Sequence, residues 1–357
     1  MLDFCKQCPQ GMVYIMTNAS ECNEVASFFR QPDGTLSPCA LYGTGGRGTG
    51  PDPAVDPLGS QGSLILTKDG RFLLAVNAGS GTVSCFMKTM DGTLILTDVQ
   101  PSGGVFPNSI AVFGSTVYVA NAGGSGKSAN ISGFRLDGCG RLSMIPGSTA
   151  ALSQPDAKPA QVIFSPCGRQ LIVSEVNVNR LTVYRLERDG TVTLQKVNGS
   201  YGAGPFGLAV LPGGLLIVAE AGAGALSSYM LYQNGDLYLI SGSASTGQTA
   251  TCWVTLSADG CIAYASNTGS GTISVFKIGE NGMLSLANTV SSTLEGTPQG
   301  APIDSGVSPD GCFFYVLNGN QGSVSAFSAA ACTELPLLQT LHSPAIPTGG
   351  TQGLAVC

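Results

Sequence analysis

Histidine is almost missing from this chain: His342 is the only one in 357 residues. That excludes a multi-histidine metal centre, and a Ser-His-Asp triad would have to use this residue. Tryptophan is as scarce, with Trp253 alone. Charged residues make up 11%, the net charge is −6, and no basic run interleaved with aromatics occurs, so nucleic acid is not an expected partner. No apolar run reaches membrane-spanning length. No Gly-x-Ser-x-Gly elbow follows a strand and opens a helix. The glycines of Gly43–Gly50 resemble a phosphate loop, but the Lys-Ser/Thr pair and the following helix are absent, which leaves a connecting loop.

Glycine, with 50 copies, is what the chain has in plenty. Ser63–Leu96 shows how it is used. Four short apolar runs are separated by a tight turn at Lys68-Asp69-Gly70-Arg71, a Gly-rich loop at Asn77–Gly81 and a hairpin signal at Asp91-Gly92. Such runs, rich in Val, Leu, Ile, Phe and Thr, are strands, and the unit is a four-stranded antiparallel meander. It recurs. Second strands end at Asn18, Asn77, Asn121, Glu175, Glu220, Asn267 and Asn318. Hairpin signals follow at Asp33-Gly34, Asp91-Gly92, Asp137-Gly138, Asp189-Gly190, Asn234-Gly235 and Asn281-Gly282. The spacing of roughly 45 to 60 residues is that of propeller blades. The expectation is an all-β, seven-bladed β-propeller forming one domain over 1–357, with a Cys-containing arm at 1–11. Blade 1 begins at its second strand, Met12–Thr17, and Gln352–Val356 matches the first strand Phe206–Val210 of blade 5. The C-terminal strand should therefore complete blade 1 and close the ring.

Twelve cysteines without a paired CxxC pattern point to disulfides in an oxidising compartment. Cys5 and Cys8 would anchor the N-terminal arm. Hairpin positions suggest a Cys139–Cys167 bridge and a Cys261–Cys312 bridge. A further bridge would lock the ring joint through Cys332 and Cys357, with Cys5 or Cys8 as competing partners. Three N-glycosylation sequons begin at Asn18, Asn130 and Asn198. Met1-Leu-Asp-Phe-Cys is no signal peptide, so the chain is read as a secreted, mature monomer whose leader has been removed.

In a propeller, the loops after second strands and those before first strands share one face and converge on the channel. The second-strand ends supply Glu175 and Glu220, carboxylates where other blades carry Asn, among them Asn267. The pair could act as acid and base or ligate a hard cation; alternatively each accepts backbone N–H bonds in place of Asn. Arg180 is placed to hold an anionic group or developing oxyanion. The first-strand entrances supply Gln61, Asn108, Gln161, Phe206, Trp253, Asp304 and Gln352, with Trp253 and Phe206 as an apolar pocket wall or as inter-blade packing.

Three groups of motifs carry a family resemblance: Thr67–Phe72 with the following strand and loop, Pro159–Arg169, and the turns Ser257–Gly260 and Ser308–Gly311. With them the chain resembles the lactonase family of seven-bladed propellers, which includes 6-phosphogluconolactonases and 3-carboxy-cis,cis-muconate lactonizing enzymes. The resemblance implies a small-molecule substrate, a cyclic ester or unsaturated acid, handled by hydrolysis or cyclisation. Where that family carries a His and a Gly-Pro-Arg-His, this chain has Gln161 and Gly204-Pro205-Phe206-Gly207. Its chemistry is thus either rebuilt around Glu220, Glu175 and Arg180 or lost, leaving a non-catalytic secreted binding or cell-surface protein. No cofactor is expected in either case. A third reading has channel Glu, Asp and Asn oxygens hold a calcium ion that polarises the ester.

Overall fold

Asp33, Asp91 and Asp189 shape their hairpins directly: each carboxylate accepts the N–H of the Thr two residues on, and the Gly between them takes positive φ. The computed structural model describes residues 11–51, 55–297, 299–319, 321–330 and 333–357. Its strands form seven antiparallel sheets, six of four strands and one, blade 3, in which both Leu142–Met144 and Ala150–Ala151 pair with the third strand. The first blade holds Met12–Met16, Glu24–Arg30, Leu36–Gly43 and, innermost, Leu354–Val356. Val13, Tyr14 and Ile15 pair with Val356, Ala355 and Leu354, so the ring closes as expected.

One hairpin is displaced from its expected position. In blade 3 the turn runs Asp137–Gly140, with Gly140, not Gly138, at positive φ and bonded back to Asp137 O. The sequence offers two glycines there, and the one three residues after the turn's start wins.

Each outer hairpin leans back on the preceding blade. Tyr14 Oη donates to Gly92 O at 2.7 Å, Tyr118 Oη to Gly190 O at 2.7 Å, and Tyr315 Oη to Gly34 O at 2.9 Å; in blade 5, Ser228 Oγ does the same for Gly282 O at 2.7 Å. This corrects the disulfide expectations. The Cys139 hairpin rests on blade 2, through Arg71 Nη2 to Gly138 O at 3.0 Å and Thr97 Oγ1 to Gly140 O at 2.9 Å. The Cys167 turn packs on Phe113 beyond it, in blade 3. The two thiols lean towards different neighbours and are free, as are Cys261, Cys312 and Cys357. Cys5, Cys8 and Cys332 lie outside the described residues. Of the sequons, Asn18 is buried with its amide donating to Thr49 Oγ1 and Gly350 O, and Asn198 donates to Gly235 O.

Candidate functional site

Five first strands carry a bulge at their entrance, next to Asn108, Ala160, Phe206–Gly207, Cys252 and Ile303–Asp304. A bulge re-aims the side chains beside it. Here it turns the start of each blade towards the axis, where Phe206 and Trp253 pack edge to face at 5.0 Å between centroids. Both are buried, as the pocket-wall reading requires, but what they face is the protein itself.

The long connection from blade 1 to blade 2 enters the channel. Its segment Val55–Gly62 is held by nearly the whole ring. Trp253 Nε1 donates to Ser60 O at 3.0 Å, and Gln352 Nε2 donates to the same oxygen at 2.8 Å. Asn108 Nδ2 donates to Leu58 O at 3.3 Å, while Ser60 Oγ donates to Asn108 O at 2.7 Å. Gln61 bonds across the ring: its N–H to Ala160 O at 3.0 Å, its Nε2 to Val254 O at 2.9 Å, and its Oε1 accepts Val254 N–H at 3.1 Å. Val55 packs with Ile303 and Phe206. At Gly207 the Gln61 oxygen comes so near that a Cβ would overlap it.

Sequence reasoning brings Gln61 to the channel but misses the plug it belongs to and the acid that plug carries. Asp56 lies on it, and Asp304, 4% exposed, lies on the bulge of blade 7. Desolvation pushes both carboxyls up to about 7. The charge of Asp56 adds to the rise at Asp304, while Gly353 N–H, donating to Asp304 Oδ2 at 2.8 Å, partly offsets it. The Gln352 side chain lies against both carboxyls, and the Lys158 ammonium draws Asp56 slightly down. Two acids sharing one site near neutrality are the arrangement expected of an acid–base pair. Asp304 had been singled out for its place before a first strand. Asp56 had no signal, because nothing local marks a loop as returning to the axis.

The expected catalytic residues are placed otherwise. Glu175 accepts Ser153 N–H at 3.1 Å and a short bond from the Ser153 hydroxyl, to which Arg180 Nη1 also donates at 3.1 Å. Glu220 accepts Gly202 N–H at 2.8 Å and Ser243 Oγ at 2.6 Å. Asn267 does the same work in blade 6, accepting Thr251 Oγ1 at 2.7 Å and donating to Ser274 Oγ at 2.9 Å. Each ties its own loop to the blade, so the two glutamates take the loop-anchoring role of Asn. Gln161 is also a tie, its Oε1 accepting Leu208 N–H of blade 5 at 2.5 Å.

Clefts of about 510, 620 and 650 Å³ open between blades on the hairpin face, and none is lined by an expected site residue. Among the described residues no group of three or more His, Cys, Asp or Glu is gathered, so a calcium ion would depend on carbonyl and amide oxygens. No helix is long and apolar enough to cross a membrane.

Comparison with known proteins bears on the frame. The family model "Lactonase, 7-bladed beta-propeller" matches residues 239–345. Among solved structures, a Bacteroides fragilis protein assigned as a 6-phosphogluconolactonase is similar at TM-score 0.77 and 17% identity, covering 99% of this chain and 100% of that one. A Bacteroides uniformis protein with the same assignment is similar at TM-score 0.74 and 20% identity, covering 98% and 99%. The periplasmic gluconolactonase of Pseudomonas aeruginosa is similar at TM-score 0.74 and 19% identity, covering 97% and 99%. No curated protein matches by sequence. The resemblance to the lactonase propellers is borne out, in sequence from the last strand of blade 5 through blades 6 and 7 and in fold over nearly the whole chain.

Proposed function

We propose that this lactonase-type propeller hydrolyses a small cyclic ester at the channel, with Asp56 and Asp304 as its acid–base pair. The reading is supported chiefly by two carboxyls pushed to about 7 beside each other. With one proton between them, the ionised carboxylate takes a proton from water as its oxygen bonds the ester carbon. The protonated partner then gives its proton to the ring oxygen as that C–O bond breaks. Lys158, whose charge reaches Asp56, would stabilise the oxyanion between these steps. The fold neighbours at TM-score 0.74 or above whose activity is named are gluconolactonases, which favours hydrolysis over cyclisation. A panel of five- and six-membered lactones, assayed with wild type and Asp304→Asn, tests the proposal. Turnover in wild type that the variant lacks supports it; no turnover, or equal turnover, refutes it. A secreted location belongs to the proposal and rests on the sequons at Asn130 and Asn198, the described cysteines being free.

One observation favours a second reading: Trp253, Gln352 and Asn108 spend their hydrogen bonds on the protein's own chain. A non-catalytic ring that binds partners on its rim would need no more than this. The same lactone panel separates the two.

A further inference from the structure

We propose that a hollow on the outer rim of blade 5 binds a pyranose unit of a neutral sugar, stacked on Tyr232 and Tyr238. The hollow, about 430 Å³, is lined by these two tyrosines with Asn234, Asp236 and Leu237. It lies at the hairpin between the third strand, Ala225–Leu231, and the fourth, Leu237–Ser245. It is therefore separate from the channel, and the inference does not rest on the hydrolase reading.

The blade repeat shows that the fold does not ask for these side chains. Tyr232 opens its hairpin: its N–H donates to Asp236 O and its carbonyl accepts from Gly235 N–H. The same two bonds in blades 1, 2, 3, 4 and 6 are made by Gln31, Thr89, Asp137, Glu187 and Gly279. Tyr238 is second in its fourth strand, where those blades carry Ser37, Ile95, Ser143, Thr193 and Ser285. Blade 5 alone among them puts an aromatic at either place. Tyr14, Tyr118 and Tyr315 are buried ties between blades, whereas Tyr232 is 53% and Tyr238 67% exposed. Two open rings at one hollow contribute nothing to the core and offer stacking area to a ligand.

The polar groups beside the rings match a sugar. Asp236 takes Lys196 Nζ on one oxygen at 2.9 Å and Asn234 Nδ2 on the other at 2.6 Å. These two bonds hold its carboxyl below the usual carboxylate range, so it is an acceptor at neutral pH. Each carboxylate oxygen keeps room for a further donor, and the ammonium and amide keep N–H groups to give. Adjacent ring hydroxyls of a pyranose each donate and accept, so a pair of them can use both kinds of partner. The C–H face of the same ring is slightly positive and meets the negative face of a tyrosine. Lys196 and Asp236 cancel in charge, which favours a neutral ligand. A proline-rich peptide also stacks on aromatics, but its prolines have no N–H to give to Asp236.

The backbone under both rings is held from blade 4. Gln170 Nε2 donates to Tyr232 O at 3.0 Å, Gln195 Nε2 to Gln233 O at 2.6 Å, and Leu237 N–H to Asn198 Oδ1 at 3.2 Å. Little freedom is left to lose on binding.

The experiment is saturation-transfer NMR on the full chain. The probes are methyl glycosides of glucose, galactose, mannose, xylose and N-acetylglucosamine, their oligosaccharides, and a proline-rich peptide. Wild type is compared with Tyr232→Thr, Tyr238→Ser and Tyr238→Phe. The first two install residues that other blades carry at these places, so the fold tolerates them. At least one sugar should bind wild type through its C–H protons. Affinity should fall at least about tenfold in Tyr232→Thr and Tyr238→Ser and stay within about threefold in Tyr238→Phe, which keeps the ring. Lactone turnover should be unchanged in all three. Tighter binding of the oligosaccharides assigns a polymer and equal binding a free sugar; either supports the site. Binding that the Thr and Ser variants leave intact lies elsewhere, the channel included, and overturns the proposal. So does binding of the peptide alone, or of no probe.

Discussion

Glu175 and Glu220 on one side, Asp56 and Asp304 on the other, are two carboxylate pairs inside one ring with opposite surroundings. Each glutamate is fully buried, yet each meets a backbone N–H and a serine hydroxyl within its own blade junction. Donors of that kind satisfy a charge and fix a loop. The aspartates lie on two segments distant in sequence; each is met by backbone N–H groups and the Gln352 side chain, yet desolvation pushes both carboxyls to about 7, with the charge of Asp56 adding to the rise at Asp304. Glu175, Glu220 and Asp304 are buried, and Asp56 is half-buried. What separates a loop anchor from a poised acid is the sign of its neighbour, not the number of donors aimed at it.

Breaking one member of each pair should give the largest contrast. Asp304→Asn should lower lactone turnover at least about 100-fold, the scale for removing a general acid or base, with the fold intact. Glu220→Gln should leave turnover within about threefold but lower stability by about 1–3 kcal/mol, because its amide cannot accept from both Gly202 and Ser243. Steady-state kinetics and urea unfolding of both variants check this, and the reverse pattern would move the chemistry back to the glutamates.

Gly207→Ala sharpens the comparison without touching a carboxyl. The new Cβ collides with Gln61 Oε1 and Cys252 O, so the plug should be displaced and stability lowered by about 1–3 kcal/mol. Acrylamide should then reach Trp253. A quenching curve identical to that of wild type would mean the plug is not held at this point.

A smaller effect is expected on stability against pH. Carboxyls whose folded pKa is raised stabilise the fold most below their unfolded value of about 4 and lose that contribution as pH climbs to about 7. Thermal unfolding should therefore show a declining midpoint across that window, flatter in Asp304→Asn. A midpoint that rises there would contradict the assignment.

The frame was legible in sequence because it is local. Asp-Gly hairpins and strand-ending Asn residues mark each blade where it forms, and Gln352–Val356 announces the ring closure by matching another first strand. Blade 3 shows the limit: Asp137-Gly-Cys-Gly gives two possible turn glycines, and only the register with the partner strand chooses Gly140. The site was legible by half. Asp304, Trp253, Asn108 and Gln352 stand at first-strand entrances, which blade geometry points to the axis. Asp56 does not, since its place is fixed by hydrogen bonds from blades remote in sequence, such as Trp253 to Ser60. Glu175 and Glu220 stood out for being unlike Asn, and sequence could not reveal that Ser153, Gly202 and Ser243 would supply the donors that make them equivalent to it.

Carbon-13 resonances of labelled aspartate carboxyls, followed through a pH titration with Asp56→Asn and Asp304→Asn as assignments, test the central claim most directly. Two resonances should titrate near 7, and removing either residue should shift the midpoint of the other downward as the like charge is lost. If every aspartate instead titrates at or below about 5, in the ordinary carboxylate range, the pair is not poised and the channel holds no acid–base site.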